Sequence, residues 1–118
     1  MVLNRRIGER VFVSATELTW KPVVSTGAGP RGAQRALLMN VSETGAGLFA
    51  PTHPWVRVDD MMIVGFNNAR AIVGVRRVSP TDDADLRYYR VEFVSMEPAF
   101  ERELYDVIGR ARANHPTL

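Results

Sequence analysis

Cysteine is absent from the 118 residues. That excludes a disulfide, a thiolate nucleophile and a Cys-ligated metal, and it fits a reducing compartment. Histidine is scarce. His53 and His115 lie far apart beside prolines, whereas a metal needs several converging ligands; both read as surface residues. No apolar run approaches the length of a membrane span. The start, Met1-Val2-Leu3-Asn4-Arg5-Arg6, lacks the apolar stretch of a signal peptide. A cytoplasmic protein without a membrane partner is expected. The Met1 start and the polar Pro116-Thr117-Leu118 end read as the bounds of a whole protein. Lysine is nearly missing: Lys21 is the only one among 15 Lys and Arg residues. The net charge of +2 is too small to imply nucleic-acid binding by bulk electrostatics, and DNA is not expected as a partner. Arginine abundance by itself reflects base composition of the genome as readily as function, so position has to carry the reading.

The length suits one domain, and an apolar share of 46% suits a packed core rather than disorder. Residues 1–10 are polar and basic and read as a flexible arm. Val11 to Val24 is rich in β-branched and aromatic residues, with Phe12, Leu18 and Trp20 of one parity and so expected in the core. Ser25 to Gly32 is a loop. Gln34 to Val41 reads as a second strand with Leu37, Met39 and Val41 on one face. Gly45 to Ala50 is a short third, interrupted by Pro51 to Pro54. Met61 to Phe66 and Ala69 to Val78 flank Asn67-Asn68, a tight hairpin signal. An acidic loop, Pro80 to Asp85, precedes Leu86 to Val94, where Tyr89, Val91 and Phe93 alternate with Arg90 and Glu92. The period then becomes helical, with Phe100, Leu104, Val107, Ile108 and Ala111 on one stripe. Pro98 suits a first helical turn. The expected organisation is an all-β barrel over 11–96, six-stranded and antiparallel, followed by an amphipathic helix over 97–114 that lies on the barrel or closes its mouth.

Several motifs fail on context. Gly27-Ala28-Gly29-Pro30-Arg31-Gly32 matches a dinucleotide fingerprint, but a strand follows it and no βαβ unit surrounds it. Ser42 has no evident His and Asp partners for a nucleophilic triad. Asp82, Asp83 and Asp85 read as a solvated loop. No enzyme and no cofactor is expected.

Two segments remain. Arg5-Arg6-Ile7-Gly8-Glu9-Arg10 puts guanidinium groups on the arm. Asn40-Val41-Ser42-Glu43-Thr44-Gly45 puts an amide, a hydroxyl and a glycine able to take positive φ at a strand end. Together they suit a clamp for a flat anion with a hydrogen-bonding edge. The Arg-x-x-x-Arg spacing of Arg6 and Arg10 recurs at Arg31 and Arg35 by chance, though Arg35 lies on the strand leading to Asn40. The order of the arm, the Asn-x-Ser-x-x-Gly turn, the barrel and the final helix, from about Asn4 to Ala113, resembles the PilZ domain.

The resemblance implies a bacterial receptor for the second messenger cyclic di-GMP. Arg6 and Arg10 would fork onto guanine edges or phosphates. Asn40 would accept from guanine N1 or N2, more weakly than the Asp frequent there. Ser42 would supply a hydroxyl and an amide, and Gly45 would leave room. Arg5, preceding the pair, implies a stacked, intercalated ligand dimer. Such a receptor signals as its arm orders and meets an unidentified protein partner. Two other readings compete: a degenerate PilZ-like interaction module that binds no nucleotide, and a small barrel for single-stranded nucleic acid. The last needs exposed aromatics in a basic groove, whereas Phe12, Trp20, Tyr89 and Phe93 read as core.

Overall fold

The computed structural model describes residues 11–23, 33–52 and 56–114. Among these residues six strands precede one helix: β1 (Val11–Pro22), β2 (Gln34–Val41), β3 (Gly45–Pro51), β4 (Met61–Phe66), β5 (Ala69–Pro80), β6 (Leu86–Met96) and α1 (Pro98–Asn114). All pairings are antiparallel, and the strands close into a barrel in the order β1-β2-β3-β6-β5-β4. Closure satisfies the backbone donors and acceptors that an open sheet leaves at its edges. This is the six-stranded barrel with a C-terminal helix that the sequence implied.

Local chemistry sets the strand limits. Pro22, Pro51 and Pro80 each end a strand, where the missing N–H breaks no ladder bond. Asn67 and Asn68 both take positive φ, 50° and 66°, so β4 and β5 join in a tight hairpin whose twist matches the strands.

Alternation fills the interior. Trp20, Leu48, Met62, Val73, Val75, Tyr89 and Val91 are all essentially inaccessible. Trp20 and Tyr89 meet edge-to-face with centroids 4.7 Å apart, a geometry worth about 0.5–1.5 kcal/mol beyond area burial. Phe100, Leu104, Val107 and Ile108 of α1 join the same cluster. The helix therefore caps the barrel core with the stripe read from its period. Glu97 secures its start: the Arg70 amide donates to Glu97 Oε1 at 2.8 Å, and the Glu97 amide donates to the Arg70 carbonyl at 3.0 Å.

Two expected core faces are corrected. Phe12 is 73% exposed. In β2 the buried alternation is Ala36 and Leu38, Leu37 is exposed, and Met39 is only half-buried; of the expected set only Val41 reaches the core. The cause is a break in register. Leu38 faces Leu48, but Asn40 faces Gly47, so Met39 is an extra residue on β2. A bulge of this kind reverses which parity points inward. Leu38 and Val41 both turn in, Asn40 turns out, and Phe12, opposite Asn40 across a further irregularity in β1, turns out with it. The Gly27–Gly32 loop, Arg31, His53 and His115 lie outside the described residues.

Leu104→Ala should remove about 2–5 kcal/mol of stability in urea unfolding, whereas Phe12→Ser should change it by no more than about 0.5 kcal/mol.

Candidate functional site

The bulge at Met39 leads directly into the β2–β3 hairpin. Val41 pairs with Ala46, leaving residues 42–45 as the connection. Ser42 builds that turn from within. It is 2% exposed. Its Oγ accepts from the amides of Thr44 and Gly45, each at 3.2 Å, and its own amide donates to the Gly45 carbonyl at 2.8 Å. Both the hydroxyl and the amide are thus engaged in the turn, which gives Ser42 a positioning role in this geometry. The Thr44 carbonyl accepts from Phe93 N at 2.8 Å, tying the turn to β6.

Gly45 does not take the positive φ that the motif suggested. Its need for glycine is spatial: a Cβ here would run into the carbonyl oxygen of Val91 on β6. Gly47 is constrained similarly. A Cβ there would strike the Tyr88 hydroxyl and stand 2.7 Å from Asn40 Nδ2. A bare backbone at this point lets two side chains meet above it.

Those two side chains are Asn40 and Tyr88, 48 residues apart. Asn40 Nδ2 donates to the Tyr88 hydroxyl at 3.0 Å. In this orientation the NH₂ is the donor end of the amide and Oδ1 the acceptor end. Asn40 is 6% exposed, so it sits in the outer face rather than on it. Tyr88 is braced edge-to-face on Phe49 with centroids 5.5 Å apart. Sequence reasoning found Asn40, Ser42 and Gly45, which one hairpin brings together. It did not find Gly47 or Tyr88; only the cross-strand register Asn40–Gly47 on one side and Phe49–Tyr88 on the other reveals them.

Beside the turn lies a groove of about 290 Å³ lined in part by Thr44, Gly45, Arg76, Arg77 and Arg90. The arginines come from β5 and β6. Val75 pairs with Val91 and Arg77 with Arg90, so Arg76 is an extra residue on β5. This second bulge leaves consecutive arginines both exposed. Arg76 is held by Glu92 at 2.7 Å and Asp59 at 3.3 Å; the hydrogen bond to Glu92 leads in raising its pKa further above the usual arginine value. Two consecutive arginines, where alternation alone sends one of them inward, were the available signal for the bulge. Arg35 sits at the far end of β2 and pairs loosely with Glu17 at 3.8 Å. Arg5, Arg6 and Arg10 lie outside the described residues. Among the described residues no group of His, Asp and Glu is assembled for a metal, and no helix is long and apolar enough to cross a membrane.

The whole barrel with its capping helix superimposes on the PilZ domain with c-di-GMP of YcgR from Escherichia coli. The TM-score is 0.65 at 14% identity, covering 97% of this chain and 99% of that one. The chain has the PilZ-domain fold. It also superimposes on the Bacillus subtilis inhibitor of motility (MotI/DgrA), with a TM-score of 0.68 and 15% identity over 96% of this chain. It spans about half of that protein, 54% of its length. No family model and no curated protein matches the sequence. At these identities the likeness is one of backbone, that of a six-stranded barrel with a C-terminal helix. Within the PilZ fold of this chain, the Asn-x-Ser-x-x-Gly residues form a pre-built hairpin rather than a loose loop.

Ser42→Ala should leave two amides without their acceptor and cost about 1–3 kcal/mol in denaturant unfolding. Ser42→Thr, which keeps the hydroxyl, should recover part of that loss.

Proposed function

We propose that this chain is a receptor for cyclic di-GMP, which it holds on the outer face of the barrel around Asn40. The observation that carries the reading is a register. Val11 pairs with Val41 and Phe12 with Asn40. The segment bearing Arg5, Arg6 and Arg10 therefore joins the barrel beside the Asn40–Gly45 hairpin, not beside the distant Arg35. In sequence, a complete RxxxR pattern runs into the strand whose start pairs with the end of β2, where the Asn-x-Ser-x-x-Gly pattern lies, and a solved neighbour of this fold is described with c-di-GMP.

The chemistry follows from the side chains. Asn40 Oδ1 accepts a guanine N1 or N2 proton. Its NH₂ donates to the Tyr88 hydroxyl, an orientation that gives the amide oxygen the acceptor role. Arg6 and Arg10 supply paired donors to guanine O6 and N7 or to phosphate oxygens. Ser42 and Gly45 keep the hairpin in shape under the ligand. Arg5 extends the cationic segment to a second, intercalated molecule. Binding orders residues 4–10, and the altered surface is read by a protein partner, because a ligand shifts an equilibrium only by differential affinity for its two states. In this reading the protein signals by binding and catalyses no reaction.

Calorimetric titration with cyclic di-GMP should give saturable binding with two molecules per chain. Arg10→Ala should weaken it roughly tenfold to a hundredfold, the loss of one bidentate contact of about 1–3 kcal/mol. Tyr88→Phe should weaken it by less, with the fold retained. No binding by the natural sequence would leave the nucleotide-free interaction module as the better reading, and tighter binding of a single-stranded oligonucleotide would favour the nucleic-acid barrel. Amide exchange over residues 4–10 should slow on addition of ligand; an unchanged rate would overturn the ordering step.

A further inference from the structure

Arg77 and Arg90 are direct partners across the β5–β6 ladder. Like charges facing each other on adjacent strands oppose pairing. Their neighbour Arg76 has two carboxylates, Glu92 and Asp59. Among the described residues, neither Arg77 nor Arg90 has an acidic partner within an ion-pair distance. The fold thus pairs two arginines across one rung with no ion-pair partner of their own among the described residues, and Glu92, which lines the same groove, is committed to Arg76. It also uses a bulge to keep Arg77 outside the barrel, since Arg76 is the inserted residue.

Their position is as telling as their charge. Asn40 faces Gly47, Gly47 faces Arg90, and Arg90 faces Arg77. These residues form one row across the outer face of β2, β3, β6 and β5. At about 4.8 Å per strand, Arg77 stands roughly 14 Å from Asn40 along that row. Over Gly47 the Asn40 amide and the Tyr88 hydroxyl close together, and the groove that Arg77 and Arg90 line is bounded by Thr44 and Gly45 of the hairpin itself.

We infer that Arg77 and Arg90 form a fixed anion shelf, in which the barrel takes a phosphodiester of the bound nucleotide independently of the N-terminal arginines. A phosphate between the two guanidinium groups replaces their mutual repulsion with charge-assisted hydrogen bonds to both. The inference rests on the cyclic di-GMP reading above and adds residues that its sequence motifs do not contain. The shelf lies on β5 and β6 of the closed barrel.

Calorimetry on the full chain tests this, with Arg77→Gln, Arg90→Gln and, as a control on the far end of α1, Arg112→Gln. Arg77→Gln and Arg90→Gln should each lose about tenfold or more in affinity for cyclic di-GMP, and Arg112→Gln less than about twofold. The ligand-free melting temperature should hold steady or rise by about 1–4 °C in the two shelf variants, because each removes a like-charge pair. That opposition, weaker binding with undiminished stability, is not produced by a merely structural residue. Wild-type affinity in both shelf variants would overturn the shelf while leaving the receptor reading intact. An equal loss in Arg112→Gln would overturn it in favour of diffuse attraction. Absence of binding by the natural sequence would defeat the receptor reading itself, and the shelf with it.

Discussion

One extra residue in β2 organises this face of the molecule. Without the bulge at Met39, strict alternation would send Asn40 into the core with Leu38, or send Val41 out to solvent. With it, Leu38 and Val41 both reach the core and Asn40 reaches the outer face. An uncompensated amide among Leu48, Val73 and Val91 would cost on the order of 1–3 kcal/mol. On the outer side it finds the Tyr88 hydroxyl instead. The hairpin that follows inherits its direction from this break, and so do Ser42, Gly45 and the approach of β1 beside them.

Closure of the barrel decides what kind of surface is left for binding. The sheet presents no free edge to a peptide strand, and α1 covers one end of the core. A polar ligand has the outer face of the strands, and there the side chains are not uniform. Glycine at 45 and 47 lets β6 and Tyr88 come close. Phe49 and Tyr88 give an aromatic border. The second bulge, at Arg76, adds cations from β5. Of these, Arg76 is tied to Glu92 and Asp59, as exposed ion pairs that contribute little to stability but fix the guanidinium in place. Arg77 and Arg90 are left to face solvent and any anion that arrives.

Much of this was legible from the chain. The two Asn residues at 67 and 68 specified a hairpin because their side chains tolerate positive φ, and the stripe from Phe100 to Ala111 specified a helix with one buried side. Tyr89, Val91 and Phe93 alternated as a half-buried strand should. Phe12 and the Leu37–Met39–Val41 face failed for one physical reason. Alternation assigns sides only while the count of residues between partners is preserved, and the bulge at Met39 changes that count without an unusual residue to mark it. At the site, the Asn-x-Ser-x-x-Gly residues were visible because they are contiguous. Gly47, Tyr88, Arg77 and Arg90 were not, because each joins the site from another strand.

Local order and composition were sufficient for the strand list, the turns, the amphipathic helix and the identity of the hairpin, since these depend on neighbours within a few residues. The resemblance of motif order to the PilZ domain was also present in the linear chain. Which parity faces inward, why Gly45 must be glycine, what orients the Asn40 amide and which arginines stand beside it were decided only by the folded barrel. Those outcomes rest on register between strands as far apart as β2 and β6, and register is settled by closure of the whole sheet rather than by any one segment of it.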